Sequence, residues 1–117
     1  MEYTAPMLTV AELPEYLRTA SRLLADAERR AIVDYLAEHP AAGDLLEGTG
    51  GVRKLRWARA GRGKSGGVGV IYYFHSGAMP LYLLSMFAKN ERANLSQAER
   101  NTLAGLVRVL VKIWLER

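Results

Sequence analysis

Two short runs decide most of what this chain can fold into. Val68–Phe74 and Leu81–Phe87 are dense in Val, Ile, Leu, Tyr and Phe, residues that suit a pleated, buried surface. Only a short stretch holding Ser76-Gly77 separates them. A third stretch, Val52 to Ala60, mixes apolar with basic residues and joins the first run through a glycine-rich loop, Gly61 to Gly67. Strands with connections this short pair with their chain neighbours, so the centre reads as an antiparallel meander.

Helical signals flank it. Met7 to Val10 reads as a short first strand, and Pro14 suits the first turn of a helix through Ala20. Asp26 reads as an N-cap, with Glu28 in the first turn and Ile32, Tyr35 and Leu36 at helical spacing. Pro40 ends that helix near His39. Ser96 and Glu99 form a capping box for a last helix that puts Leu103, Leu106, Val107, Leu110 and Trp114 on one face. Val109, Val111, Ile113 and Leu115 make it broader in apolar surface than one stripe, which suits core and leaves room for a partner. The order is β-α-α-β-β-β-α, an α+β fold with a small antiparallel sheet packed against helices. At 117 residues with half of them apolar, one domain over residues 1–117 is expected.

Charge is divided along the chain. Residues 1–51 carry four Lys/Arg and nine Asp/Glu, a net of −5; residues 52–117 carry twelve and three, a net of +9. Between Gly48 and Asn90 there is no acidic residue, while Arg53, Lys54, Arg56, Arg59, Arg62, Lys64 and Lys89 all fall there. A field of one sign over half a small domain draws a polyanion, and nucleic acid is the partner it points to, a plain solvated face being the alternative. There is no cysteine, which removes disulfides and thiolate chemistry. No apolar run nears the roughly 18 to 20 residues that span a bilayer, and Met1 to Val10 lacks the features of a signal peptide. A cytoplasmic protein with no membrane partner is expected.

The segment from Gly50 to Asn90 resembles the HigB branch of the RelE/ParE toxin superfamily. The resemblance lies in the order and spacing of Gly50-Gly51-Val52-Arg53-Lys54-Leu55-Arg56, Gly61-Arg62-Gly63-Lys64-Ser65-Gly66-Gly67, Val70-Ile71-Tyr72-Tyr73-Phe74, Leu81-Tyr82-Leu83-Leu84 and Lys89-Asn90-Glu91. Leu95-Ser96-Gln97-Ala98-Glu99 continues it. It implies a RelE-like fold and the toxin of a type II toxin–antitoxin module. Such a toxin is a ribosome-dependent mRNA endoribonuclease that enters the 30S decoding site, is neutralised by a HigA-like antitoxin, and reaches operator DNA only through that antitoxin. No cofactor is implied. The reaction is attack by a ribose 2′-OH on the adjacent phosphate, leaving a cyclic phosphate and a 5′-hydroxyl.

That reaction needs a base for the 2′-OH, positive charge for the phosphoryl oxygens and a proton for the 5′-oxygen. The two histidines, His39 and His75, sit at a helix end and a strand end and read as surface residues. The central segment offers no Asp or Glu to hold a metal. Arginine, lysine and tyrosine remain. Lys54 and Arg56, two apart on a strand, share one face; they are the candidates for phosphate stabilisation or proton transfer, and crowding of cations lowers a lysine's pKa. Arg53 and Arg59 are candidate peripheral RNA contacts, Arg62 and Lys64 loop contacts, and Lys89 a further phosphate ligand. Tyr73 is the candidate site-facing tyrosine because it shares a face with Gly69.

Position 69 departs from the family, which carries arginine there in a Gly-Gly-x-Arg-[Val/Ile]-Ile-Tyr-Tyr pattern and is implied to use it on the scissile phosphate. Glycine inside a strand packs nothing and has no structural rationale visible in the sequence; a bulge, natural decay and deliberate substitution are its alternatives. A weakened or inactive copy is therefore expected. Two other readings stand beside the nuclease: a non-enzymatic gyrase poison like the ParE branch, and an RNA- or ribosome-binding module without catalysis.

Overall fold

The computed structural model of the chain describes residues 8–59, 66–92 and 94–116. Strand β1 (Val10–Glu12) leads into helices α1 (Pro14–Leu23) and α2 (Asp26–Glu38). Strands β2 (Asp44–Leu45), β3 (Val52–Trp57), β4 (Val68–Tyr73) and β5 (Leu81–Ala88) follow, then α3 (Gln97–Leu115). The strands form one sheet in the order β1-β5-β4-β3-β2. Strands β2 to β5 pair antiparallel and β1 joins β5 in parallel. The expected α+β order is present, with the short β2 added and the edge strand parallel. Parallel pairing requires a long connection, and here most of the domain intervenes between the two strands. The start of the strand expected from Met7 lies outside the described residues.

Local chemistry sets the helix ends. Pro14 opens α1, which runs past Ala20 to Leu23 because Leu23 and Leu24 continue the apolar stripe of Tyr16 and Ala20 into the core. The cap of α2 is Ala25 rather than Asp26, and it makes no side-chain bond. Asp26 is instead the first helical residue, where its charge suits the helix N-terminus and meets Arg29 at 3.2 Å. The capping box of α3 forms as the sequence predicts: Ser96 Oγ accepts from the Glu99 N–H (3.1 Å) and Glu99 accepts from the Ser96 N–H (2.8 Å).

All six residues of β4 are buried, so the sheet is covered on both sides. Val68, Val70 and Tyr72 meet α1 and α2 through Tyr16, Ala20, Ile32 and Leu36. Ile71 and Tyr73 meet α3 through Leu103, Val107 and Leu110. The outer side of α3 leaves Val109 and Ile113 about half exposed, at 53% and 54%, which is the apolar excess seen in the sequence. Tyr72 is the polar pin of the first core: its hydroxyl donates to Pro40 O (2.8 Å) and accepts from the Gly43 N–H (2.8 Å). Gly43 is held to glycine by that approach, since a Cβ there would lie 2.8 Å from the Tyr72 ring and 3.0 Å from the Lys54 backbone.

Two outcomes follow from these contacts. Tyr72→Phe removes the acceptor for a buried N–H and the donor for Pro40 O, and is expected to cost about 1–3 kcal/mol in chemical denaturation. Glu99 is held down to about 2, chiefly by its side-chain bonds to Arg92. A carboxyl depressed in the folded state adds stability above its unfolded value, ordinarily 4.5, and loses it as pH falls toward 2. Thermal melting across that window should flatten in Glu99→Gln; an unchanged slope would remove Glu99 from the account.

Candidate functional site

Strand alternation divides the basic residues of β3. Val52 packs under α3 and Leu55 under α1 and α2, so Lys54 and Arg56 take the α3 side while Arg53 takes the other. The register sets Arg56 (β3), Gly69 (β4) and Phe87 (β5) in one row across three strands. Helix α3 covers only part of this face. Beyond it lies an open cleft of about 470 Å³ whose lining includes Lys54, Arg56, Gly67, Gly69, Phe87 and Lys89. Lys89 is held at its rim because its N–H donates to Gly67 O (2.9 Å), extending the β4–β5 pairing by one residue.

Among the described residues, Lys54, Arg56 and Lys89 have no carboxylate within ion-pair distance. The negative charge that acts on Lys54 is Asp44, its cross-strand neighbour in β2. The Lys54 ammonium is pushed below its ordinary value, first by burial and then by the charges of Arg56, Arg100 and Lys89, with Asp44 opposing them. Its Nζ lies 5.9 Å from the centroid of the Phe87 ring, and the Arg92 guanidinium lies over that ring at 5.2 Å. The cleft thus concentrates positive charge on an apolar floor, the environment in which charge acts most strongly on a bound anion.

The other candidates fall elsewhere. Arg53 turns to the opposite face and donates to Ala41 O (3.2 Å) and Gly43 O (2.8 Å), which binds β3 to the α2–β2 connection. Arg59 is buried and its Nε donates to Gly66 O. Arg62 and Lys64 lie outside the described residues. Tyr73 does share a face with Gly69, but its ring belongs to the core under α3 and packs on Gly51, whose φ is +114°; burial raises its hydroxyl pKa. It does not line the cleft, and four residues of strand put it roughly 13 Å along β4 from Gly69. Neither His39 nor His75 lines the cleft. Among the described residues no group of His, Asp and Glu is placed to hold a metal ion.

The structure supplies the rationale for Gly69 that the sequence lacked. The tip of the Phe87 ring fills the space above it, so that a Cβ at residue 69 would lie 2.9 Å from the ring's Cζ. An aromatic laid over a strand glycine restores packing that the glycine cannot make. A side chain at 69 meets a ring tip that can tilt, not backbone.

Phe87, Arg92 and Arg100 were not singled out by sequence. Phe87 escapes strand parity. Leu81 and Leu83 face α1 and α2, so strict alternation would send residue 87 the same way. Between Ile71↔Ser85 and Tyr72↔Leu83 the register slips, leaving Leu84 without an opposing residue. That bulge switches the parity, placing Met86 with the first core and Phe87 with the second. Arg92 reaches the site by crossing from the β5–α3 connection, where it bonds Glu99 and Asn94 O. Arg100 reaches it from α3, bonding Glu47 O (2.9 Å) and Asn94 Oδ1 (3.3 Å).

Residues 16–116, which run from α1 to the end of α3, match the family model described as the RelE toxin of the RelE / RelB toxin-antitoxin system. The match covers most of the chain, and the α+β fold agrees with it. This chain belongs to the RelE toxin family, the toxin half of a toxin–antitoxin pair.

Proposed function

We propose that this toxin is a HigB-type, ribosome-dependent mRNA endoribonuclease whose catalytic centre is the cleft of Lys54, Arg56 and Lys89. The single observation behind this reading is that three cations meet over an apolar floor with no ion-paired carboxylate among the described residues. A site of that kind suits a phosphodiester gaining negative charge better than it suits any neutral substrate.

In this reading Lys54, with its lowered pKa, takes the proton of the ribose 2′-OH. The 2′-oxygen bonds to the adjacent phosphorus while the bond to the 5′-oxygen breaks, giving a 2′,3′-cyclic phosphate and a 5′-hydroxyl. Arg56 binds the phosphoryl oxygens as their charge grows, and Lys89 holds the phosphate from the rim. The 5′-oxygen takes its proton from water or from a cation of the cleft. The ribosome supplies the splayed single strand, and the antitoxin, HigA-like in this reading, also carries the pair to operator DNA. The whole chain acts as one domain in a cytoplasmic setting. Arg62 and Lys64 remain the proposed loop contacts to RNA, and Arg53 and Arg59 contribute to the field at most, since their guanidinium groups serve backbone carbonyls.

Glycine at 69 leaves the row between Arg56 and Phe87 without a further cation, so this copy is slow. Gly69→Arg is expected to raise cleavage of translated mRNA by on the order of 10²–10³, the usual worth of one group that stabilises transition-state charge. Equal rates for the two forms in a translating extract would strip position 69 of that role. Lys54→Ala with Arg56→Ala, placed in the Gly69→Arg protein, should abolish cleavage while leaving the melting transition intact; cleavage at full rate would move the active site elsewhere. Because the lysine must be neutral to act as base, the rate should rise with pH through a pKa below lysine's ordinary 10.5. Lys54→Arg should lose that limb.

A further inference from the structure

We infer that Phe87 is a positioning residue for this site: its ring, turned onto the cleft by the β5 bulge and seated over Gly69, holds the Lys54 side chain in place before the lysine gives up its own proton and acts as base. The inference rests on the ribonuclease reading above and adds a residue that reading does not use.

A lysine has four rotatable bonds and loses much of its rotamer freedom when one arrangement is fixed. Catalysis needs that arrangement fixed before substrate arrives. A carboxylate would fix it but would also raise the lysine pKa and cancel the charge on which the cleft depends. An aromatic face attracts the ammonium more weakly than a carboxylate does and brings no negative charge to cancel the cleft's own. Here the ring lies 5.9 Å from Lys54 Nζ.

The ring is itself packed at its tip and on its face. Its tip occupies the space above Gly69, approaching a Cβ position there to 2.9–3.2 Å. The Arg92 guanidinium lies over it at 5.2 Å, and Arg92 is in turn held by Glu99, the residue that closes the capping box of α3. A continuous set of contacts therefore runs from the first turn of α3 through Arg92 and Phe87 to Lys54. The bulge at Leu84 is what makes this possible, because without it residue 87 would point into the opposite core.

The test is NMR of the full chain with the Lys54 side chain assigned, together with cleavage of mRNA on translating ribosomes by the same proteins. Ring current should move the Lys54 εCH₂ signals upfield. Phe87→Leu, which keeps apolar volume, should abolish that shift and lower kcat about tenfold with KM unchanged. Phe87→Tyr should retain the shift and most of the rate. Lys54 signals at free-lysine positions in the native protein would overturn the inference, as would loss of the shift in Phe87→Leu with kcat unchanged. An equal fall in kcat for the Leu and Tyr variants would also overturn it, because it would assign the ring a packing role alone. Full cleavage by Lys54→Ala would instead overturn the nuclease reading at Lys54, and is distinguishable because the ring-current shift is read without any substrate.

Discussion

Strand β4 has no face turned to water. Val68, Val70 and Tyr72 are sealed by α1 and α2, and Ile71 and Tyr73 by α3. A strand buried on both sides needs a layer on each, and the chain supplies one before the meander and one after it. The two layers are unequal. Two helices cover the first face, while α3 alone covers the second and leaves its far end open. The cleft is that remainder: the part of the second face where β3, β4 and β5 continue beyond the helix. The backbone that carries its residues belongs to, or directly extends, the same strands as the core.

How far α3 reaches is fixed at its first turn. Ser96 and Glu99 cap it, Arg92 clamps Glu99, and Arg100 ties the same turn to Glu47 O and Asn94. These bonds serve the helix and the site together, since Arg92 lies over Phe87 and Arg100 adds to the field at Lys54. The sequence shows the capping box clearly, because it is a pattern within four residues. It does not show that Arg92, seven residues before Glu99, completes the box, because that contact exists only once the connection has folded back.

The same contrast runs through the rest of the molecule. The meander, the last helix and the pairing of Lys54 with Arg56 on one face are legible because they follow from period and spacing. Strand β2 is not, since two residues of Asp-Leu carry no periodic signal, and the parallel partner of β1 is set by topology. Arg53 reads like its neighbours in a basic run, yet one step along a strand reverses its face and gives it to backbone carbonyls. Tyr73 has the right parity for the site but the wrong position along the strand, because α3 closes over that end. Phe87 has the wrong parity by simple counting and is corrected only by a bulge, which a single strand's sequence does not announce. Gly69 looked like a loss when read alone; beside Phe87 it is half of a packed pair.

Gathering cations without partners costs stability, since like charges repel and Lys54 also loses water. Lys54 records the cost in its lowered pKa, to which burial contributes most and Arg56, Arg100 and Lys89 add. The fold offsets it without neutralising the site. Asp44 stands across the strand from Lys54 but outside ion-pair distance, Arg100 is held by neutral oxygens, and Phe87 offers a polarised face rather than a charge. Each device lowers the repulsion while leaving the positive potential available to an incoming phosphate. The repulsion and the positive charge are therefore one property of this cleft, and in the proposed reading that charge is what receives the phosphate.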